Sequence, residues 1–129
     1  MIYRNFQDKK LSGLGLGMMR LPVVNGDVAA AEMIDYAYQN GINYFDTAWG
    51  YHNGNSELVA GKYLSRYPRE SYYLATKFPG YDPANMNKVE EIFEAQLEKC
   101  QTPYFDFYLF HNVYEGNIDD YLNPKFGIM

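Results

Sequence analysis

Four residues of different chemistry stand at or just beyond the ends of short apolar runs: Asp46, Tyr51, Lys77 and His111. A carboxylate, a phenol, an ammonium and an imidazole together make a set suited to proton transfer. A tyrosine holds its proton at neutral pH, with an ordinary pKa of about 10, and a neighbouring ammonium favours its phenolate. Taken singly, each residue has a plain role. An aspartate after a strand serves as a cap or turn residue, a lysine is solvated, and Tyr51 is one of 14 tyrosines, most of which must serve packing or surface. His52 reads as a loop residue near the mouth of a pocket. The weight lies in four such groups recurring at strand ends.

A metal reading uses the same atoms, with Asp46, His52 and His111 as oxygen and nitrogen ligands. A cationic Lys77 in that cluster would repel a divalent ion, and no HxxxH or HxxE spacing presets the geometry, so no metal is expected. Gly13-Leu14-Gly15-Leu16-Gly17 has the look of a dinucleotide-binding loop. Its spacing is GxGxG, however, and it runs into Met18-Met19-Arg20-Leu21-Pro22, where no helix can start. A strand is the better reading. Gly54, Ser56 and Glu57 read as turn and helix-start residues.

Strand-like and helix-like segments alternate along the chain. Residues 14–19, 42–46, 72–77 and 104–110 have the length and residue types of strands, the last two as nearly continuous apolar runs that need cover on both faces. Asp27 can cap a helix carrying Ala30, Met33, Ile34, Ala37 and Tyr38, with Asn40-Gly41 as its left-handed stop. Ser56 can cap a second, offering Leu58, Val59 and Leu64 for burial before Pro68. A third starts near Asn87, with Glu90 completing a capping box and Val89, Ile92, Phe93 and Leu97 on one side. Residues 2–6 and 10–12, around Gln7-Asp8-Lys9, suggest a hairpin. Parallel strands joined by right-handed helical crossovers follow. An eight-stranded barrel of that kind takes about 250 residues, so this chain accounts for about half of one. A doubly wound open sheet is the alternative that periodicity leaves open.

The strings around the four residues decide between these. Phe45-Asp46-Thr47-Ala48-Trp49-Gly50-Tyr51, Gly54-Asn55-Ser56-Glu57, Leu74-Ala75-Thr76-Lys77 and Phe107-Tyr108-Leu109-Phe110-His111 resemble the aldo-keto reductase family in residue type, spacing and strand position. The resemblance runs from about residue 14 to residue 111. It implies an α/β fold, a partial (β/α)8 TIM barrel of about four parallel strands with an amino-terminal β-hairpin, residues 1–129 forming a single domain that is the amino-terminal half. It implies hydride transfer from NADP(H) to an aldehyde or ketone. Tyr51 would be the proton donor, Lys77 and Asp46 would tune it, and His111 would orient the substrate oxygen. Met19, Arg20 and Asp46 would lie at the nicotinamide. In the family, the rest of the cofactor is held mainly by loops of the later strands, so weak or no activity is expected of this half alone. Bacterial relatives with similar Gly-Met-Met-Arg-Leu-Pro and Leu-Phe-His-Asn strings carry a cysteine-rich iron-sulfur extension. This chain has one cysteine, Cys100, and no cluster is expected.

Composition narrows the rest. A content of 47% hydrophobic and 18% aromatic residues supplies a core for 129 residues. A net charge of -5 without basic clusters leaves no footprint for nucleic acid or an anionic membrane. Cys100 excludes an internal disulfide and reads as a small apolar residue near a helix end. The first ten residues lack the apolar stretch of a signal peptide, no segment has the roughly 20 apolar residues of a membrane span, and the chain reads as cytoplasmic. Its last residues, Asn123-Pro124-Lys125-Phe126-Gly127-Ile128-Met129, stay apolar to the terminus and look like an interruption. Four curved strands leave two open edges and an uncovered concave face. Pairing is therefore expected, as a homo-oligomer closing a pseudo-barrel or with a complementary carboxyl-terminal half. A non-catalytic oligomeric half-barrel module is the alternative function.

Overall fold

Short apolar runs and amphipathic runs alternate, and each becomes the element that its period suits. The computed structural model describes residues 1–23 and 27–128, so Met129 lies outside it. A hairpin of β1 (Tyr3–Phe6) and β2 (Lys9–Ser12) opens the chain. Lys9, expected in the turn, pairs with Phe6, so the loop is the two residues Gln7-Asp8, with Gln7 at φ 53°. Then follow β3 (Leu16–Gly17), α1 (Val28–Gln39), β4 (Tyr44–Asp46), α2 (Ser56–Leu64), β5 (Tyr73–Phe78), α3 (Val89–Lys99), β6 (Phe107–Phe110) and α4 (Ile118–Leu122). Among the described residues, no helix is long and apolar enough to cross a membrane.

The four later strands form one parallel sheet in the order β3-β4-β5-β6. A doubly wound sheet would need that order to reverse at a switch point; sequential order is the winding of a barrel, and the fold is half of a (β/α)8 barrel with a hairpin before it. The register, with Leu16 beside Phe45, Phe45 beside Leu74 and Ala75 beside Phe107, sorts alternate side chains onto two faces. Phe45, Leu74, Thr76 and Phe78 point outward and are fully buried. Phe45 and Leu74 join Ile34 of α1 and Leu64 of α2 in one core cluster, and Phe78 joins Met86, Ile92 and Tyr121 in another. Tyr44, Asp46, Tyr73, Ala75, Lys77, Phe107 and Leu109 share the inner face. At its amino end Phe6, Tyr44 and Tyr73 surround Phe107, with ring centroids 5.9, 5.4 and 6.5 Å away, so the hairpin covers the bottom of the barrel.

Helix ends depart from expectation in an instructive way. Gly41 at φ 86° stops α1 as anticipated, but none of the three cap side chains acts as a cap. Asp27 occupies the cap position of α1 without a capping bond and instead pairs with Lys62 of α2 at 2.9 Å. Ser56 lies inside the first turn of α2 and is fully buried, while α3 starts at Val89, after Lys88, without the Asn87–Glu90 box. Met33 and Leu58, expected in the core, are about half exposed. Cys100 is buried at the end of α3, and burial pushes its thiol far above the ordinary range.

Candidate active site

Asp46 ends β4 beside Ala75, and Lys77 lies two residues further along β5 on the same face. Its side chain therefore reaches back across the gap between strands. The Lys77 ammonium donates to Asp46 Oδ1 and to the Thr47 carbonyl, each at 2.6 Å. Side-chain exposure is 12% for Lys77 and 27% for Asp46, so the pair is largely withdrawn from water and its charge-assisted bonds are short.

From β4 the chain runs through Ala48, Trp49 and Gly50 into a 3₁₀ turn, Tyr51–Gly54. The Tyr51 amide donates to Ala48 O at 3.2 Å, and His52 Nε2 lies 3.2 Å from the Met18 carbonyl oxygen. His52 thus joins the turn carrying Tyr51 to the turn carrying Met19 and Arg20. His52 and Asn53 adopt φ of 52° and 55°, and Asn112, next to His111, adopts 56°. Such left-handed residues cost roughly 1 kcal/mol each outside glycine and concentrate where a loop must present a group to a ligand.

The Tyr51 ring centroid is 4.8 Å from the Lys77 ammonium. The ring also meets His111 edge-on, with centroids 5.6 Å apart and planes at 87°, and Tyr81 meets His111 in the same manner at 5.1 Å. His111 follows β6 directly. Its amide donates to Phe78 O and its carbonyl accepts from the Tyr121 hydroxyl, each at 3.0 Å, so β5 and α4 fix its backbone. Burial, and secondarily the Lys77 ammonium, hold the imidazole below its ordinary pKa, with Asp46 opposing. A neutral ring offers one donor and one acceptor, and Nδ1 is buried with no partner among the described residues.

All four sequence-predicted residues therefore come together at the carboxyl ends of the strands. Met19 joins Gly50, Tyr51, Tyr81, His111 and Asn112 around a cleft of about 340 Å³; Arg20 lines the adjoining hollow with Met19, Tyr51 and His52. Among the described residues, no group of three or more His, Cys, Asp or Glu is placed to hold a metal ion. The signature of the Aldo/keto reductase family matches residues 13–118. This chain belongs to that family.

Similar aldo/keto reductases and other relatives place it further. Over 123 residues the chain is 32% identical to Norsolorinic acid reductase B of Aspergillus parasiticus, covering 79% of this chain and 32% of that protein. It is 32% identical over 127 residues to the NADH-specific methylglyoxal reductase of Escherichia coli, covering 81% and 39%. The holo form of aldo-keto reductase AKR11C1 from Bacillus halodurans superposes with a TM-score of 0.74 at 30% identity, covering 93% of this chain and 43% of that one. The chain thus spans well under half the length of these relatives.

Three residues lining the cleft escaped the sequence reading: Gly50, Tyr81 and Asn112. Tyr81 follows β5 in Pro79-Gly80-Tyr81, and its place just past a strand end was the available signal. Gly50 has a steric reason, since a Cβ there would lie 2.8 Å from the Tyr81 hydroxyl. Glu57, read as a helix-start residue, is fully buried beneath the sheet, and Gln96 with it.

Proposed function

We propose that this chain, as a single domain, supplies the proton-handling half of an NADP(H)-dependent reductase of aldehydes or ketones. The observation that carries this reading is the convergence of Lys77 on both Asp46, at 2.6 Å, and the Tyr51 ring, at 4.8 Å. As a substrate carbonyl gains electron density, Tyr51 donates its hydroxyl proton to the oxygen, and the adjacent ammonium stabilises the phenolate left behind. Asp46 holds the Lys77 side chain aimed at the site through a short bond of 2.6 Å. A neutral His111 donates a hydrogen bond to the same substrate oxygen and orients it.

The cleft's residues fit the reacting end of the cofactor. Met19 and Tyr51 supply an apolar and aromatic wall, and Gly50, without a Cβ, leaves the Tyr81 hydroxyl its place beside them. Met19, Arg20 and Asp46 would hold the nicotinamide, which when bound supplies the hydride. Members of the family use NADP(H), yet one relative's name specifies NADH, so both are tested. NADPH and NADH oxidation with a panel of aldehydes, by this chain alone and mixed with a matching carboxyl-terminal half, measures the activity. Turnover should appear on mixing and fall at least about a hundredfold in Tyr51→Phe, the usual scale of acid-base catalysis. Undiminished turnover after Tyr51→Phe would remove the assignment.

A second reading is a non-catalytic oligomeric half-barrel, favoured by β3 and β6, which have no outer strand partner among the described residues, and by exposed Leu109 and Phe110 of β6, Leu14 just before β3 and Met33 of α1. A stable dimer with no saturable NADPH fluorescence would support it, and saturable binding would return the balance to the enzyme.

A further inference from the structure

Behind Lys77, on the outer side of the sheet, lies a polar cluster that the reaction does not touch. Glu57 at the start of α2 is fully buried. Its Oε1 accepts from Thr76 Oγ1 at 2.7 Å and from Gln96 Nε2 at 2.6 Å, while Oε2 has no hydrogen-bond partner among the described residues and lies 3.6 Å from the Lys99 ammonium. The Gln96 amide has only one workable orientation. A carboxylate can only accept, so the nitrogen must face Glu57, and the Gln96 oxygen accepts from the Tyr108 hydroxyl at 2.7 Å. That nitrogen carries two hydrogens, and beyond Glu57 it has two acceptors in reach, the Lys77 backbone carbonyl at 3.1 Å and Thr76 Oγ1 at 3.2 Å, of which the carbonyl is the nearer. Immediately before Glu57, Ser56 Oγ shares a buried hydrogen bond of 2.8 Å with Thr47 Oγ1. Thr47 is the residue whose carbonyl accepts from the Lys77 ammonium.

We infer that Ser56, Glu57 and Gln96 form a positioning device for Lys77, holding that lysine at both ends from the far side of the sheet. Gln96, braced by Glu57 and Tyr108, fixes the backbone from which the side chain springs. Ser56 fixes the peptide on which the ammonium lands. An apolar trio would fill the same volume without a desolvated carboxylate, whose burial is unfavourable; what it would lack is a directional grip on Lys77. The inference rests on reading Lys77 as the partner of Tyr51.

Site-specific acylation of the full chain, quantified by mass spectrometry under folded conditions, tests it without needing turnover. Lys77 is mostly buried and doubly bonded, whereas Lys62 is 58% exposed in its side chain and serves as the internal reference. Gln96→Leu should raise the Lys77 rate about fivefold relative to Lys62, the scale of one lost hydrogen bond. Where Gln96→Leu does not fold, the near-isosteric Ser56→Ala provides the same readout through Thr47. An unchanged Lys77-to-Lys62 ratio in the folded Gln96 or Ser56 variant overturns the proposal. Undiminished reductase turnover in Tyr51→Phe would instead remove the underlying reading while leaving the labelling result intact.

Discussion

At the scale of single residues, the site combines one largely buried ion pair with one imidazole kept neutral. His111 has a folded pKa below its ordinary value of 6.5, so between the two values the unfolded chain binds a proton that the folded chain refuses. Stability then falls as the pH drops from about 6.5 toward the lowered value, because folding must either exclude that proton or charge a buried ring. Urea denaturation across that interval should show the decline, and His111→Gln should flatten it; an identical slope in the variant would remove His111 as its source. Removing Lys77 acts differently. Lys77→Met leaves Asp46 beside an apolar side chain and should cost about 1–3 kcal/mol in thermal or urea unfolding, below the fully buried range because Asp46 retains some water.

Among elements, the most confining contact is between α2 and the end of α3. A Cβ on Gly61 would lie 2.2 Å from the Lys99 carbonyl oxygen and 2.8 Å from the Cys100 carbonyl carbon. These are backbone atoms that cannot swing aside. Gly61→Ala should therefore destabilise by about 1–3 kcal/mol in chemical denaturation, even though alanine favours a helix; a neutral or stabilising result would mean the two helices are free to separate. This level also shows what was legible beforehand. Strand cores were readable at Phe45 and Leu74, β-favouring types that are fully buried, whereas the run from Phe107, expected to need cover on both faces, leaves Leu109 and Phe110 exposed at the edge of the sheet; the left-handed stop at Gly41 follows from glycine's missing Cβ. The caps were not readable. Asp27, Ser56 and Asn87 have capping chemistry, yet Lys62 and Thr47 drew Asp27 and Ser56 away, and those partners come from other elements. Gln96 was invisible for a related reason: a polar residue on a helix reads as solvent-facing until Glu57, Tyr108 and the Lys77 carbonyl converge on it. The meeting of Asp46, Tyr51, Lys77 and His111 at one rim was legible because their position at or just past strand ends needs only the polarity of a parallel sheet.

At the largest scale, the governing fact is a sheet whose two edge strands, β3 and β6, have no further strand partner among the described residues. The side at β3 borders a hollow of about 630 Å³ lined by residues including Leu14, Leu16, Met33 and Tyr36, and the side at β6 presents Leu109 and Phe110. Apolar borders of this kind favour association. Light scattering should detect mass rising above 15.0 kDa with concentration, and Leu109→Lys should suppress the rise. A mass that stays at the monomer value throughout would remove the self-pairing reading.

The amino-terminal hairpin adds a temporal dimension. Its second strand is latched by Asn43, which accepts from the Ser12 amide at 2.7 Å and donates to Lys10 O at 2.9 Å, but the aromatic seat of Phe6 is Phe107. A nascent polypeptide leaving the ribosome can fasten the latch early, whereas the seat arrives only with β6. Translation order therefore makes sealing of the base a late step, after the outer core has had time to consolidate.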